Sequence, residues 1–200
     1  MAPPIEFFFD FSSPYGYLAA ERIDEIAKRN GRSVVWKPFL LGAVFKVAGT
    51  APLTNYPLKG DYSKHDFARS ARLHKVPFKM PDRFPTGSIG AVRGHYLLNE
   101  IAPGKESTFD RAVYKAYFVD NRDISDNAVV ADIAASVGID RAAFLSGIER
   151  PDIKDIVRKE TEAAIARGVF GSPFIFIDGE PFWGSDRLEM AEQWLKSGGW

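Results

Sequence analysis

Segments with the character of β-strands occur only near the two ends of this 200-residue chain. Residues 5–11 are an apolar run rich in phenylalanine, and residues 33–39 are β-branched and aromatic, so each segment favours a strand. Residues 172–183 predict a β-hairpin that turns at Asp178-Gly179. We find no convincing strand between residues 61 and 162. The sequence therefore predicts an α/β fold whose strands come together from the two ends.

Helix signals accompany the strands at both ends. Ser13 as N-cap and Pro14 at the first helical position mark the start of a helix that ends at Asn30-Gly31. A strand, a helix and a strand within about 35 residues form a βαβ unit, whose two strands should be parallel. After the hairpin, Ser185-Asp186 are predicted to cap a last helix that runs to about Leu195.

The middle of the chain is predicted to be helical. Residues 40–62 carry Gly, Pro, Thr and Asn and predict a loop with one helical turn near residues 44–46. Helices are then expected at roughly residues 63–74, 87–99, 107–118, 126–137, 141–149 and 152–167. A βαβ opening and a ββα close are the two halves of a thioredoxin fold. We therefore predict a single thioredoxin-like domain over residues 1–200, with halves of about 1–40 and 165–200 and a helical insertion of about 61–164.

Composition excludes several kinds of function. The 26 basic residues equal the 26 acidic ones, which removes the electrostatic argument for a nucleic acid or an anionic membrane as a partner. The chain has no cysteine, so it has no disulfide, no cysteine-based metal site and no thiol nucleophile of its own. His65, His74 and His95 lack metal-ligand spacing, and we expect structural histidines and no metal site. The N-terminus has no signal-peptide pattern, so we expect a cytoplasmic protein.

Polar residues that bear on function are concentrated in three short segments. These are Asp-Phe-Ser-Ser-Pro-Tyr at residues 10–15, Phe-Gly-Ser-Pro at 170–173 and Trp-Gly-Ser-Asp-Arg-Leu at 183–188. Each has an ordinary structural interpretation, as a helix cap or a strand start. A hydroxyl at a helix N-terminus can also donate to a bound thiolate, which lowers the pKa of that thiol. Both interpretations are open for Ser13.

In this order, on a cysteine-free chain, the three segments resemble the DsbA-like superfamily. Within it they are similar to the kappa-class glutathione transferases and the bacterial 2-hydroxychromene-2-carboxylate isomerases. The resemblance runs from Phe8 to Leu195. It implies a DsbA-like thioredoxin fold, a homodimer, and an enzyme that uses glutathione as its thiol cofactor. It also implies that Ser13 holds the glutathione sulfur at the place where DsbA itself has a cysteine.

The resemblance implies further roles around the cofactor. The backbone of Ser172, before a proline that is cis in thioredoxin folds, would pair with the cysteinyl unit of glutathione. Ser185 would bind the γ-glutamyl carboxylate and Asp186 the ammonium group. The implied cofactor-binding set is Ser13, Ser172, Pro173, Trp183, Gly184, Ser185, Asp186 and Lys59, of which Ser13 is also catalytic. Thr50 stands where the kappa class has a second contact, an asparagine.

The implied reaction is the glutathione-dependent isomerisation of 2-hydroxychromene-2-carboxylate to trans-o-hydroxybenzylidenepyruvate in bacterial naphthalene-type degradation. Lys46 and Asn55 would bind the carboxylate of this small aromatic substrate. One alternative is a kappa-like glutathione transferase or peroxidase with an electrophilic substrate. Another is a non-catalytic thioredoxin-fold module that captures extended peptides. Ser185-Asp186 argue against the module, because a peptide clamp has no need of a γ-glutamyl site.

Overall fold

The structure, a computed structural model, describes residues 2–200 and is built on a mixed four-stranded sheet. The strands are β1 (Ile5–Phe9), β2 (Val34–Pro38), β3 (Phe174–Ile177) and β4 (Glu180–Trp183), in the order β2-β1-β3-β4. β1 and β2 are parallel, whereas β3 is antiparallel to both β1 and β4. The predicted thioredoxin-type arrangement, with strands from both ends of the chain in one sheet, is therefore confirmed.

Ten helices accompany the sheet in the described residues. They are α1 (Pro14–Ala20), α2 (Ile23–Arg29), α3 (Leu41–Ala48), α4 (Lys59–His74), α5 (Ile89–Ile101), α6 (Glu106–Phe118), α7 (Asn127–Ser136), α8 (Arg141–Gly147), α9 (Pro151–Ala166) and α10 (Leu188–Ser197). Short 3₁₀ turns lie at Leu53–Asn55 and Ser185–Arg187. Helices α4 to α9 correspond to the six helices predicted for the middle of the chain. No helix in residues 2–200 has both the length and the apolar character that crossing a membrane requires.

The helix predicted between β1 and β2 is in fact two helices. The chain leaves helical geometry at Arg22, where φ is −126°. The carbonyl of Ala20 accepts a hydrogen bond from the Arg111 guanidinium of α6, at 2.9 Å. This distant side chain satisfies an acceptor that the end of α1 leaves free. The prediction of one continuous helix was wrong, because the spacing of apolar residues along 14–30 cannot reveal a hydrogen bond from the distant Arg111.

The loop predicted for residues 40–62 contains more helix than one turn. Helix α3 spans eight residues, and a left-handed Gly49 with φ 64° ends it. Its first amide, that of Leu41, donates to the carboxylate of Asp10 at 2.8 Å. Leu40, the N-cap residue, makes no side-chain cap. A residue far away in the sequence thus does the capping that local residues do not.

Phenylalanines of β1 fill the core on both faces of the sheet. Phe7 and Phe9 stack at 5.0 Å on one face and pack edge-on against Trp36. Phe8 points to the opposite face, where it meets Phe176 at 5.8 Å in a smaller cluster with residues of α9. Side chains alternate across a strand, and aromatic residues on both sides therefore require helices on both faces. The end of β1 is consequently held rigidly where the polar segment 10–13 begins.

The predicted hairpin turn is confirmed in detail. Asp178 and Gly179 have φ values of 53° and 93°. Positive φ at both central residues defines a type I′ turn, which matches the twist of the two strands. The guanidinium of Arg32 forms a bidentate ion pair with the Asp178 carboxylate, at 3.0 and 2.6 Å. This turn aligns β4 so that its end leads into the polar segment 183–188.

The carboxylate of Glu192 ties α10 to the end of α2. A hydrogen bond from Arg29, with help from Lys196 and Asn30, lowers the pKa of Glu192 to about 2. The unfolded value is about 4.3, so this carboxylate contributes stability above that pH and loses it as the pH falls towards 2. We expect Glu192→Gln to lower the Tm by no more than about 2–4 °C at pH 7. The difference from wild type should shrink between pH 4 and pH 2; a difference constant over pH 2–7 would assign it to packing.

Candidate functional site

Ser13 joins the start of α1 to the segment before β3. It is the N-cap residue of α1, and its hydroxyl oxygen accepts a hydrogen bond from the Gly16 amide at 3.0 Å. The same hydroxyl donates to the backbone carbonyl of Ser172 at 2.8 Å. Ser13 is therefore a helix cap and a link between two of the three polar segments. The structure shows the cap, and donation of this hydroxyl to a bound thiolate stays a prediction.

The Ser172-Pro173 segment lies directly opposite Ser13. The peptide bond between these two residues is cis. The Ser172 hydroxyl accepts from the Asp10 amide at 3.0 Å, and the Pro173 carbonyl accepts from the Gly184 amide at 3.1 Å. A side-chain hydrogen bond thus connects the segment to the residue after β1, and a backbone hydrogen bond connects it to the third polar segment. The fold thus brings Ser13, Ser172, Pro173 and Gly184 together, and their implied contacts with glutathione stay predictions.

Three glycines keep side-chain volume away from this region. A Cβ on Gly16 would lie 2.8 Å from the Tyr114 hydroxyl and 2.9 Å from the Ser172 hydroxyl. A Cβ on Gly171 would lie 2.3 Å from the indole nitrogen of Trp183. Gly184, with φ 109°, lies where a Cβ would be 2.4 Å from a carboxylate oxygen of Asp186. A side chain at Gly16 or Gly171 would displace these neighbours, and the positive φ of Gly184 itself favours glycine.

The predicted cap of the last helix is not formed. Ser185 and Asp186 lie in the 3₁₀ turn before α10, and the N-cap residues, Gly184 and Arg187, make no side-chain cap. Ser185 is buried against α1, and within residues 2–200 its hydroxyl forms no hydrogen bond. The exposed Asp186 carboxylate instead pairs with Arg187 at 2.8 Å. Both polar groups are thus free of the structural role that sequence reasoning gave them.

An aromatic surface borders the site. Trp183, at the end of β4, is about half exposed and packs edge-on against Phe170 at 4.8 Å. Phe170 in turn contacts the buried Phe174 of β3. These rings present an apolar wall next to the Ser172-Pro173 segment.

Tyr15, in the first turn of α1, connects the site to an acidic residue, Asp66. Its hydroxyl donates to the Asp66 carboxylate of α4 at 2.6 Å. Burial, together with Asp66 and the nearby Asp186, raises the pKa of Tyr15 above its usual value. Burial opposes ionisation of Asp66, but hydrogen bonds from Tyr15 and Arg69 outweigh it and hold the Asp66 pKa below its usual range. Tyr15 is therefore a neutral hydrogen-bond donor that fixes α4 beside α1.

The side chains of Lys46, Asn55 and Lys59 form no hydrogen bond or ion pair with the cluster in residues 2–200. Lys46 is exposed in the last turn of α3, and Asn55 is exposed in the 3₁₀ turn that follows. Within residues 2–200 neither side chain makes a hydrogen bond or an ion pair. Lys59, at the first position of α4, lies over the Tyr56 ring at 5.7 Å. Their proposed ligand contacts stay predictions.

The histidines lie apart from the site. His65 is exposed, and Nε2 of His74 accepts a hydrogen bond from the Arg22 guanidinium at 3.2 Å. His95 is buried in the helical region, where its Nδ1 lies 2.8 Å from the Asp110 carboxylate. In residues 2–200 no three His, Cys, Asp or Glu side chains are grouped so that they could hold a metal ion.

Sequence reasoning gave no role to two residues of this region, Asp10 and Gly16, although Asp10 stands in the first of the three polar segments. Asp10 is almost fully buried, and its carboxylate accepts hydrogen bonds from three different segments. Gly16 is required by the approach of Tyr114, a residue about a hundred positions away. A charged residue directly after an apolar strand was the only local signal for Asp10, and Gly16 gave none.

The chain has the βαβ and ββα halves of a thioredoxin fold, and its first helix begins at a serine opposite a cis Ser-Pro segment. This arrangement defines a thioredoxin-type site that has a hydroxyl in place of a protein thiol. The family model of the DsbA-like thioredoxin domain matches residues 4–196. The chain therefore belongs to the DsbA-like thioredoxin family.

Similar proteins narrow the class further. The chain is 31% identical to a 2-hydroxychromene-2-carboxylate isomerase of Pseudomonas sp. (strain C18), over 94% of this chain and 88% of that protein. It is 26% identical to the human glutathione S-transferase kappa 1, over 96% and 91%. The solved structure of a 2-hydroxychromene-2-carboxylate isomerase superposes with a TM-score of 0.87 at 28% identity and covers 96% of this chain and 94% of that one. These relatives support an enzyme of the isomerase and glutathione-transferase type.

Proposed function

We propose that the chain is a glutathione-dependent isomerase that converts 2-hydroxychromene-2-carboxylate to trans-o-hydroxybenzylidenepyruvate in the degradation of aromatic compounds. The Ser13 hydroxyl, held at 2.8 Å from the Ser172 carbonyl, is the observation that carries this proposal. This pair places one hydroxyl donor and one backbone acceptor side by side at the start of a helix. The similarity to isomerases over nearly the whole chain supports the substrate assignment.

The residues at the site fit a γ-glutamyl-cysteinyl ligand. The Ser185 hydroxyl forms no hydrogen bond in residues 2–200 and is not fully buried, so it can serve a ligand without losing a partner. Asp186 is exposed and can exchange Arg187 for an ammonium group. The absence of a side chain at Gly16, Gly171 and Gly184 lets Tyr114, Trp183 and Asp186 approach the backbone of the three segments closely. Donors, acceptors and charges are thus present for the thiol, the amide and the γ-glutamyl end.

Ser13 can serve a thiolate only through an exchange of hydrogen bonds. Its proton is directed to the Ser172 carbonyl, and its oxygen accepts from Gly16. A ligand amide that donates to the Ser172 carbonyl frees the Ser13 hydroxyl to turn towards the sulfur, while the Gly16 bond keeps it in place. Because α1 has only seven residues, we assign more of the thiolate stabilisation to this hydroxyl than to the helix dipole.

Bound glutathione would supply a thiolate nucleophile that adds reversibly to the conjugated substrate and so allows rotation about the former double bond. Ser13 lowers the pKa of the thiol by donating to the charged form. The Trp183 and Phe170 rings exclude water on one side. Lys46 of α3 and Asn55 of the following 3₁₀ turn are proposed to bind the substrate carboxylate, and Lys59 at the start of α4 is proposed to bind glutathione.

The γ-glutamyl assignment gives a separate prediction for Asp186. We expect Asp186→Asn to weaken glutathione binding by about 1.5–3 kcal/mol, because a charge-assisted contact to the ammonium group is lost. The Tm without ligand should stay near that of wild type, since Asp186 caps no helix. Calorimetry and thermal denaturation measure the two quantities. Unchanged affinity with a lowered Tm would make Asp186 a structural residue only.

The function is tested by isomerisation assays on the purified chain. We expect conversion of 2-hydroxychromene-2-carboxylate with glutathione and none with S-methylglutathione, which has no free thiol. Glutathione should also raise the Tm, since a ligand of the native state stabilises it, and S-methylglutathione should raise it less. Glutathione binding and conjugation of an electrophile without isomerisation would favour the transferase alternative. No binding at millimolar glutathione would contradict the cofactor assignment and leave the peptide-binding module.

A further inference from the structure

Asp10 is the most highly connected polar residue next to Ser13. It follows β1 and is only 3% exposed. One carboxylate oxygen accepts from the Ser12 amide at 2.8 Å, from the Ser12 hydroxyl at 2.7 Å and from the Ser88 hydroxyl at 3.0 Å. The other accepts from the Leu41 amide at 2.8 Å. Buried polar groups with this many partners fix the relative positions of the segments that they connect.

The backbone of Asp10 is engaged as well. Its carbonyl accepts from the Ser13 amide at 3.0 Å and from the Tyr114 hydroxyl at 3.1 Å. Its amide donates to the Ser172 hydroxyl at 3.0 Å. The carbonyl bond closes a turn over residues 10–13, and the carboxylate bond to Ser12 closes a second, Asx-type turn inside it. Both turns determine where the Ser13 side chain begins.

Three helix starts meet at this carboxylate. Ser12 precedes α1, Leu41 is the first residue of α3, and Ser88 is the N-cap residue of α5. Neither α3 nor α5 has a cap from its own N-cap side chain. Amides at helix starts lack partners within the helix, so an anionic acceptor is favourable there. Asp10 supplies it for α3 and, through the two serines, orders α1 and α5.

We infer that Asp10 is a positioning residue for the reaction. It positions the Ser13 hydroxyl next to the Ser172 carbonyl, and it fixes the start of α3 relative to these two groups. Asp10 touches neither substrate nor glutathione in this account and acts through Ser13. The inference rests on the proposed function, because the consequence of misplacing Ser13 is read from glutathione-dependent turnover.

Asp10→Asn is the sharpest perturbation that the geometry offers. The side chains have the same shape, but one carboxylate oxygen becomes an NH₂ group. In either orientation of the amide, a backbone N–H, that of Ser12 or that of Leu41, then faces a donor instead of an acceptor. The turn before Ser13 or the start of α3 must therefore shift. Ser12→Ala is a milder companion, because it removes one hydroxyl bond and keeps the carboxylate.

The matched control is Asp110→Asn. Asp110 is a fully buried carboxylate of α6 that pairs with His95, and in residues 2–200 its side chain forms no hydrogen bond with the three polar segments. Burial raises the pKa of Asp110 above its usual value. Its substitution should therefore change stability and leave the geometry at Ser13 intact.

A double-mutant cycle with Ser13→Ala tests the inference. Turnover in saturating glutathione is normalised to the glutathione-binding sites counted by calorimetry, which removes the effect of unfolded protein. We expect Asp10→Asn to lower normalised kcat/KM by about 10-fold or more in the wild-type background, and by less than about 3-fold once Ser13 is alanine. Asp110→Asn should leave normalised kcat/KM unchanged in both backgrounds.

The outcomes separate the inference from the function on which it rests. Equal losses from Asp10→Asn in the two backgrounds, or no loss at all, overturn the positioning role while the function stands. A wild-type chain that neither binds nor uses glutathione overturns both. If Asp10→Asn does not fold, Ser12→Ala replaces it in the same cycle. A smaller loss that again disappears with Ser13→Ala supports the inference, and a loss that persists there contradicts it.

Discussion

Ser13→Ala is expected to lower glutathione-dependent isomerisation about 10²-fold, the loss typical of removing one donor from a site that stabilises a developing anion. The hydroxyl is the donor that lies opposite the Ser172 carbonyl, and no cysteine of the chain can replace it. Initial rates at saturating glutathione, with the folded fraction determined separately, measure the effect.

Stability by itself does not identify the role of Ser13. Alanine at an N-cap costs about 0.5–2 kcal/mol, whereas glycine caps nearly as well as serine. Both variants also lose the hydrogen bond to Ser172, worth about 0.5–1.5 kcal/mol. Ser13→Gly should therefore be more stable than Ser13→Ala and equally inactive. If Ser13→Gly keeps full activity, Ser13 is only a helix cap.

Gly16→Ala is expected to destabilise the chain by about 1–3 kcal/mol and to reduce activity with it. The new Cβ would lie 2.8 Å from the Tyr114 hydroxyl, which is fully buried and donates a hydrogen bond to the Asp10 carbonyl. It would also lie 2.9 Å from the Ser172 hydroxyl, so neither neighbour can move without disturbing the site. Thermal denaturation and the isomerisation rate measure the two effects.

Gly42→Ala is the matched control for this substitution. Gly42 is also helical, in α3, but a Cβ there would meet no atom within 4 Å. Alanine should then stabilise by about 0.4–1 kcal/mol, because it restricts the unfolded chain at no steric cost. Opposite signs for the two glycines are expected. A stabilising Gly16→Ala would show that the space around Ser13 is larger than described.

The sequence predicts those parts of the fold whose signals are local. The Asp178-Gly179 turn requires positive φ at both residues, and this pair of residue types is suited to it. The aromatic run of β1 and the periodic helices from α4 to α9 are likewise local patterns. They were sufficient to predict a thioredoxin-type sheet assembled from both ends of the chain.

Features that depend on distant side chains were not predictable in this way. Helix α1 ends at Ala20, whose carbonyl is bonded to Arg111, and α3 begins where Asp10 accepts from Leu41. The same holds for the site. Ser13 and the Ser172-Pro173 segment were given roles through the family resemblance, because from the residues alone they could equally be a helix cap and a strand start. Asp10 and Gly16 were not, because their partners are assembled only by the fold.

The pKa of the thiol of bound glutathione tests the central claim most directly. Thiolate absorbance in the ultraviolet, followed against pH, gives this value for free and bound ligand. A free thiol titrates near pH 8.5. We predict that the wild-type chain lowers this pKa measurably and that Ser13→Ala loses part of the shift, because a donor to the thiolate has been removed. If the thiol titrates at the same pH in free glutathione, in the wild-type complex and in the Ser13→Ala complex, the result contradicts the proposed role of Ser13 and the mechanism built on it.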